Sequence, residues 1–322
     1  MRNLVFLQFN SSAQVNKKWS PKKIHRQKIQ KSTTIYSILY ISFIHLCRSM
    51  RNLLASCFAL LSLSSLGQIT FKPETTKKGE FYAHWGWNRE WYNKSDIHFT
   101  GDNYDFYLRD VVAKDKPAEF DASTYFSPKN VTIPQYNFRI GYYFKNDYHL
   151  SLGIDHMKYV VQNGQTVKID GTIDEVNNRY NGEYDNDDIK IRPGFLEMEH
   201  TDGLNYSNVE LGRFDNLWQY KKVTLAVTEA VGIGVMYPKS DVHLFGNERH
   251  DEFHVAGFGA NAQVGLNMKF WRHFYIQSEF RGGYVNMPNI RTTYSQADNA
   301  KQQFYYAQFN ILAGAFWHLN KG

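Results

Sequence analysis

The stretch His254-Val-Ala-Gly-Phe-Gly-Ala-Asn-Ala-Gln-Val-Gly-Leu-Asn-Met-Lys-Phe270 changes character at almost every residue. Ala256, Phe258, Ala260, Ala262, Val264, Leu266, Met268 and Phe270 fall on one side of a period of two. Gly257, Gly259, Asn261, Gln263, Gly265, Asn267 and Lys269 fall on the other. Successive side chains of a strand point to opposite faces of a sheet, so this is one strand with an apolar face and a polar, glycine-rich one. Strands of soluble domains run about five or six residues. A sheet of much longer strands would expose long unpaired edges, and closing it into a barrel removes them.

The pattern recurs. Tyr136, Phe138, Ile140, Tyr142 and Phe144 oppose Gln135, Asn137, Arg139, Gly141 and Lys145, with Tyr143 the exception. Phe81, Ala83, Trp85 and Trp87 oppose His84, Gly86, Asn88 and Glu90, and Tyr148, Leu150, Leu152 and Ile154 oppose His149, Ser151, Gly153 and Asp155. Val223 to Val235 alternates too but aims Glu229 at the apolar face, where a carboxylate is costly, which predicts a bulge or a site outside the hydrocarbon. The phase breaks between Tyr206 and Val209, which predicts a bulge near Ser207-Asn208. Short connections at 145–147, 215–221 and 271–273 alternate with long polar ones at 93–132, 162–203, 238–253 and 288–302. Strands are expected at 80–92, 133–145, 147–161, 204–214, 221–237, 254–270, 272–287 and 303–319. The predicted fold is all-β: an eight-stranded antiparallel up-and-down transmembrane β-barrel with long extracellular loops and short periplasmic turns.

A second start precedes it. Met50-Arg-Asn is followed by the apolar run Leu53 to Leu63 and by Ser64-Ser-Leu-Gly-Gln68, the parts of a secretory signal peptide cut near Gly67/Gln68. The expected organisation is a mis-assigned start or leader over 1–49, a signal peptide over 50–67, a short periplasmic segment over 68–79 and the barrel over 80–319. Residues 1–67 carry ten of the 37 Lys/Arg and none of the 31 Asp/Glu, so their removal takes the formal charge from +6 to about −4. The basic excess that would suggest nucleic acid is therefore lost with the leader. Cys47 and Cys57 go with it, leaving no thiol for disulfides or metal. Lipid attachment at Cys57 is disfavoured because the apolar run continues past it. Ile35 to Cys47 is too short to cross a bilayer, and no later segment is long and apolar enough for a membrane helix.

Phe144, Tyr148, Trp218, Tyr220, Phe270, Trp271, Phe274 and Trp317 flank the short turns or the C-terminus, as an interfacial girdle does. The last strand ends Ala315-Phe-Trp-His-Leu319. On this strand pattern and final strand the chain resembles, over residues 80–319, the small eight-stranded outer-membrane β-barrel proteins of Gram-negative bacteria. It departs from their pattern in continuing with Asn320-Lys-Gly322. The resemblance implies contact with outer-membrane lipid and lipopolysaccharide, and loops able to engage an extracellular ligand or partner.

An eight-stranded interior fills with side chains. A lumen network is expected from Glu90, Asn137, Arg139, Asp155, Glu210, Arg213, Gln263, Asn267, Gln277, Glu279, Arg281 and Asn310, plugging the barrel in a non-enzymatic structural or surface-interaction protein without cofactors. The rivals are a narrow, porin-like solute channel and a lipid-A-modifying enzyme. His200, Asp202, His250 and His254 are metal or acid/base candidates whose spacing matches no metal motif. Ser207 and His200 lie close in sequence but match no lipid-A hydrolase motif. The acidic run Asp174 to Asp188 reads as a solvated loop.

Overall fold

The computed structural model describes residues 77–119, 134–175, 178–246, 250–271 and 273–318, without the side chains of His250 and Asp251. The leader at 1–49, the signal segment at 50–67 and the start of the segment at 68–79 lie outside the described residues.

Fifteen strands run through them: β1 (Glu80–Tyr92), β2 (Ser95–Gly101), β3 (Tyr104–Val111), β4 (Ala113–Lys114), β5 (Tyr136–Lys145), β6 (Tyr148–Val161), β7 (Thr166–Ile173), β8 (Gly182–Lys190), β9 (Leu196–Tyr220), β10 (Val223–Met236), β11 (Lys239–Leu244), β12 (His250–Phe253), β13 (Gly257–Phe270), β14 (Phe274–Arg291) and β15 (Asn299–His318). Eight of them, β1, β5, β6, β9, β10, β13, β14 and β15, pair in that order, and β15 pairs back on β1 from Glu80↔His318 to Tyr92↔Tyr306. Every pairing is antiparallel and the ring is closed, so the barrel has no edge.

The outer wall is bare hydrocarbon. Leu152, Val231 and Ile233 are 60%, 59% and 71% exposed, with Phe138, Ile140, Leu150, Val264, Leu266, Ile276, Phe280 and Ile311 exposed around the same ring. A continuous apolar belt of this extent on a closed barrel is a lipid-facing surface. Tyr143, the exception in its strand, is 1% exposed and points inward.

Among the described residues, much of the long connections is folded into further strands. β15 hands on to β2, β3, β7 and β8 as one sheet, while β11 pairs with β9 and β12, and β4 with β6. Together with the N-terminal part of β9 these strands build a hood over the extracellular mouth. Its core includes Ile97, Phe99, Phe106, Leu108, Ile169, Phe195 and Leu196, all 0% exposed. Phe99 and Phe106 stack at 5.2 Å, and Phe195 lies 4.8 Å from the Tyr180 ring. Each such side chain contributes about 1.5–3 kcal/mol on burial, which makes the hood a packed body. The expected solvated loop at 174–188 contains most of β8, whose Glu183, Asp185, Asp187 and Asp188 are exposed while Ile189 is buried in the hood.

Neither expected bulge is where the pattern placed it. Register runs unbroken past Ser207 and Asn208 (Ile154↔Ser207, Gly153↔Asn208), and the shift lies higher, between Met157 and Tyr159, opposite Thr201 to Gly203. Gly203 takes φ +136° there. The phase break has a chemical cause. As β9 leaves the membrane its buried, inward residues change from Asn208 and Glu210 to Leu204 and Tyr206, because the hood needs an apolar interior and the barrel an apolar exterior. Glu229 keeps its outward phase and pairs with Arg213, while the irregularity in that ladder falls at Leu225/Ala226. β9 itself runs on to Tyr220, so the connection expected at 215–221 is a turn at Lys221–Lys222.

Candidate functional site

The lumen has two layers beneath the hood. At the periplasmic end Tyr82, Tyr143, Phe214, Ala226, Tyr275 and Phe316 form an apolar floor. Tyr82 OH lies 2.9 Å from His149 Nδ1, and Tyr275 OH lies 3.0 Å from His84 Nδ1. These are inward positions of strands whose other inward residues are polar. A gap of about 10 Å³ above the floor is no larger than one water requires.

The upper layer is ionic. Arg139 on β5 reaches Glu210 on β9 at 3.0 Å, donates to Asn208 Oδ1 at 2.7 Å and donates to Ser151 Oγ at 3.0 Å. Arg281 on β14 pairs with Asp155 on β6, sits 3.1 Å from Glu210 and donates through Nε to Gln263 Oε1 at 3.0 Å. Both guanidinium groups are buried. Asn261 donates to Glu210 at 2.8 Å, Asn310 to Glu279 at 3.1 Å, Asn267 to Gln277 at 2.7 Å, and Gln308 to Glu90 at 3.0 Å. Asn137 donates to Asp155 and accepts from Asn88 at 2.8 Å. The network crosses the interior between non-adjacent strands, and charges held this way are costly to leave unpaired.

Arg213 does not belong to it. It faces out on β9, grips Asp215 through Nε and Nη2 at 2.8 Å each, and stands between Tyr148 on one neighbouring strand and Glu229 on the other. The parity that places Glu210 inward places Arg213, three residues on, outward. Glu229 thereby faces an arginine on the outer wall.

The aromatic residues near the turns are on the outside. Phe144, Tyr148, Tyr220, Trp271 and Phe274 are exposed, Trp218 stacks on Tyr220 at 5.9 Å, and Trp317 on Phe81 at 6.2 Å.

In the hood, the histidine and aspartate candidates are dispersed. His200 is 0% exposed, its ring 5.7 Å from that of Tyr159, and neither ring nitrogen has a hydrogen-bond partner. Burial pulls its pKa down to about 4. Asp202 pairs with Lys239 at 3.1 Å, and His254 Nε2 lies 2.8 Å from Asn289 Nδ2. The side chain of His250 lies outside the described residues. Among the described residues no group of three His, Cys, Asp or Glu side chains is placed to hold a metal. Ser207 donates to the Tyr237 hydroxyl at 3.3 Å on the outer face, away from His200 in the hood core. Nearer the mouth, Gln135 donates to both Glu90 and Asp115, and burial raises the pKa of the Asp115 carboxyl. Asp115 joins from the connection after β4, outside the alternating barrel strands.

A closed ring of eight antiparallel strands, apolar outside and filled inside, decides the architecture. The fold is that of the small eight-stranded outer-membrane β-barrels. Its apolar outer belt makes it a barrel that crosses a membrane. Solved structures similar to this chain include the attachment invasion locus protein Ail of Yersinia pestis with the heparin analogue sucrose octasulfate, at 12% identity over 74% of this chain and 99% of that one, TM-score 0.29. The outer membrane protein OprG of Pseudomonas aeruginosa is 9% identical over 76% and 98%, TM-score 0.31, and the outer membrane protease OmpT of Escherichia coli 8% identical over 78% and 99%, TM-score 0.31. No protein-family model and no curated relative matches the sequence.

Proposed function

We propose that this outer-membrane barrel is non-enzymatic, that its lumen is closed to solutes, and that its extracellular hood is the surface through which it meets partners. The supporting observation is the cross-lumen pairing of buried Arg139 and Arg281 with Asp155 and Glu210. An open pore would leave those groups to water, whereas here they bond to one another between an aromatic floor and an apolar hood core. Planar-bilayer recording tests the reading: the purified protein should give no steady conductance, and a large, stable one would establish a channel instead.

Against the enzyme reading, Ser207 and His200 occupy different surfaces, so neither serves the other as nucleophile or base. Lipid A mass spectra from cells with and without the protein should coincide. An acyl change that appears with the protein would overturn the non-enzymatic reading.

A further inference from the structure

Where β1 ends, the chain leaves the barrel wall for the hood and opens a gap in it. β15 pairs with β1 as far as Tyr306↔Tyr92 and with β2 only from Gln302↔Ile97. Across the crossing, Asn93 N–H donates to Tyr305 O at 3.2 Å and Tyr305 N–H donates to Asn93 Oδ1 at 2.7 Å. The result is a notch of about 500 Å³ in the outer face, lined by Asn93, Lys94, Asp96, Tyr284, Gln303 and Tyr305 among others, the Asp96 carboxylate being held by Arg109 at 2.9 Å. The Tyr284 and Tyr305 rings stand 5.2 Å apart at 49°, and the Tyr284 hydroxyl donates to Gln303 at 2.7 Å. Tyr305 is 64% exposed and Trp91, on the same face of the adjoining strand, is 58% exposed.

The height of the notch limits its occupant. Below it on β15 the outward residues are Phe309 and Ile311, exposed to lipid; above it Lys301 and Gln303 are exposed beneath the polar outer surface of the hood. The notch thus opens sideways where the wall changes from apolar to polar, at the headgroups of the outer leaflet. An interfacial aromatic belt accounts for exposed Trp and Tyr rings, but not for a recess with an exposed lysine at its rim. Flat aromatic faces suit the apolar face of a sugar ring, Asn93 and Gln303 suit its hydroxyls, and Lys94 suits a phosphate.

We infer that the notch binds the phosphorylated sugar headgroup of an outer-leaflet glycolipid, lipopolysaccharide. The sugar lies against Tyr305 and Trp91, a phosphate meets Lys94, and the acyl chains descend along Phe309 and Ile311. The inference rests on the membrane placement of the barrel and is independent of whether the lumen conducts, so bilayer recordings and lipid binding fail separately.

Native mass spectrometry of the folded full-length protein, exchanged into detergent with purified bisphosphorylated lipopolysaccharide, tests it. The wild type should retain one glycolipid. Lys94→Ala with Tyr305→Ala should lower the bound fraction at least about tenfold, the equivalent of one lost charge-assisted contact. Phe253→Ala, an exposed hood residue away from the notch, should bind as the wild type does. Should the double variant fail the unheated-gel test of barrel folding, Lys94→Ala alone serves, with the same direction expected. Equal retention by wild type and notch variants would overturn the inference. So would equal binding of dephosphorylated lipopolysaccharide, or displacement by deacylated core saccharide at the same concentration, which would mark a site for free glycans.

Discussion

Lowering the pH from 7.5 to 5.0 should loosen the hood while the barrel stays intact, and His200 is the reason. An exposed imidazole titrates near 6.5, whereas burial holds His200 near 4. As pH falls, the opened hood takes up this proton before the closed one does. Stability that is fully present above pH 6.5 is therefore lost progressively down to about 4. Between pH 7.5 and 5.0 the loss comes to about 2 kcal/mol, roughly a 30-fold rise in the local opening constant. Two groups bear on the ring. Tyr159 packs against it with its own hydroxyl engaged by Gln302, and Glu199, the adjacent residue, favours the charged form but too weakly to offset burial. Burial opposes ionisation of Glu199 as well, yet bonds from Thr201 and Lys116 hold its pKa below the usual carboxylate range, so it stays charged through this window.

Hydrogen exchange in detergent, corrected for the intrinsic pH dependence of amide exchange, reads the opening directly in peptides from β2, β3 and β7. His200→Phe keeps a ring against Tyr159 and removes the titration, so its hood should lose most of the difference between the two pH values. A variant that loosens at pH 5.0 as much as the wild type would refute the assignment to His200.

Arg281→Met should lower the urea midpoint of the barrel by an amount corresponding to about 3–5 kcal/mol, because Asp155 and Glu210 are then left buried with a cation missing; an unchanged midpoint would contradict the network. Gly171→Val should damage the hood alone: Gly171 sits at φ +121°, with the site of a Cβ 2.1 Å from Asp105 O. Limited proteolysis should then cut β3 or β7 while heat-dependent gel mobility still reports a folded barrel. Intact mass of protein extracted from membranes should place the mature N-terminus near Gln68, and retention of residues 1–49 would sink the signal-peptide reading.

The barrel was legible because period two and lipid exposure act on the same residues. Phe138, Ile140 and Tyr142 alternate with Asn137, Arg139 and Gly141, and no other fold disposes so much outward hydrocarbon over strands this long. Parity sets which side chains face the lumen, and it separates Arg213 from Glu210: Glu210 faces in, so Arg213, three residues on, faces out. The hood was missed although its alternation is present, in Ile97 and Phe99, in Phe106 and Leu108, in Val167 and Ile169, and in Val242 and Leu244. Those runs are short and lie among Asp and Asn, so they read as loops.

The more general signal is where the apolar face changes sides. On β6 the apolar residues are outward at Leu150 and Leu152 and inward at Met157, Tyr159 and Val161; on β15 they are outward at Ile311 and Phe309 and inward at Tyr306 and Phe304. The inward side chains keep one parity along both strands, on β6 even past the register shift whose extra residues lie on β9, so the inversion is not a bulge. It records a change of solvent, because hydrocarbon outside selects apolar residues facing outward and water outside selects them facing inward. Tyr206 and Val209 carry the same inversion on β9. A phase break on a long strand thus locates the outer edge of the membrane, and such breaks on β6, β9 and β15 announce a folded body beyond it. The notch beside Tyr305 lies at that edge, where a lipid headgroup is the occupant that meets both solvents at once.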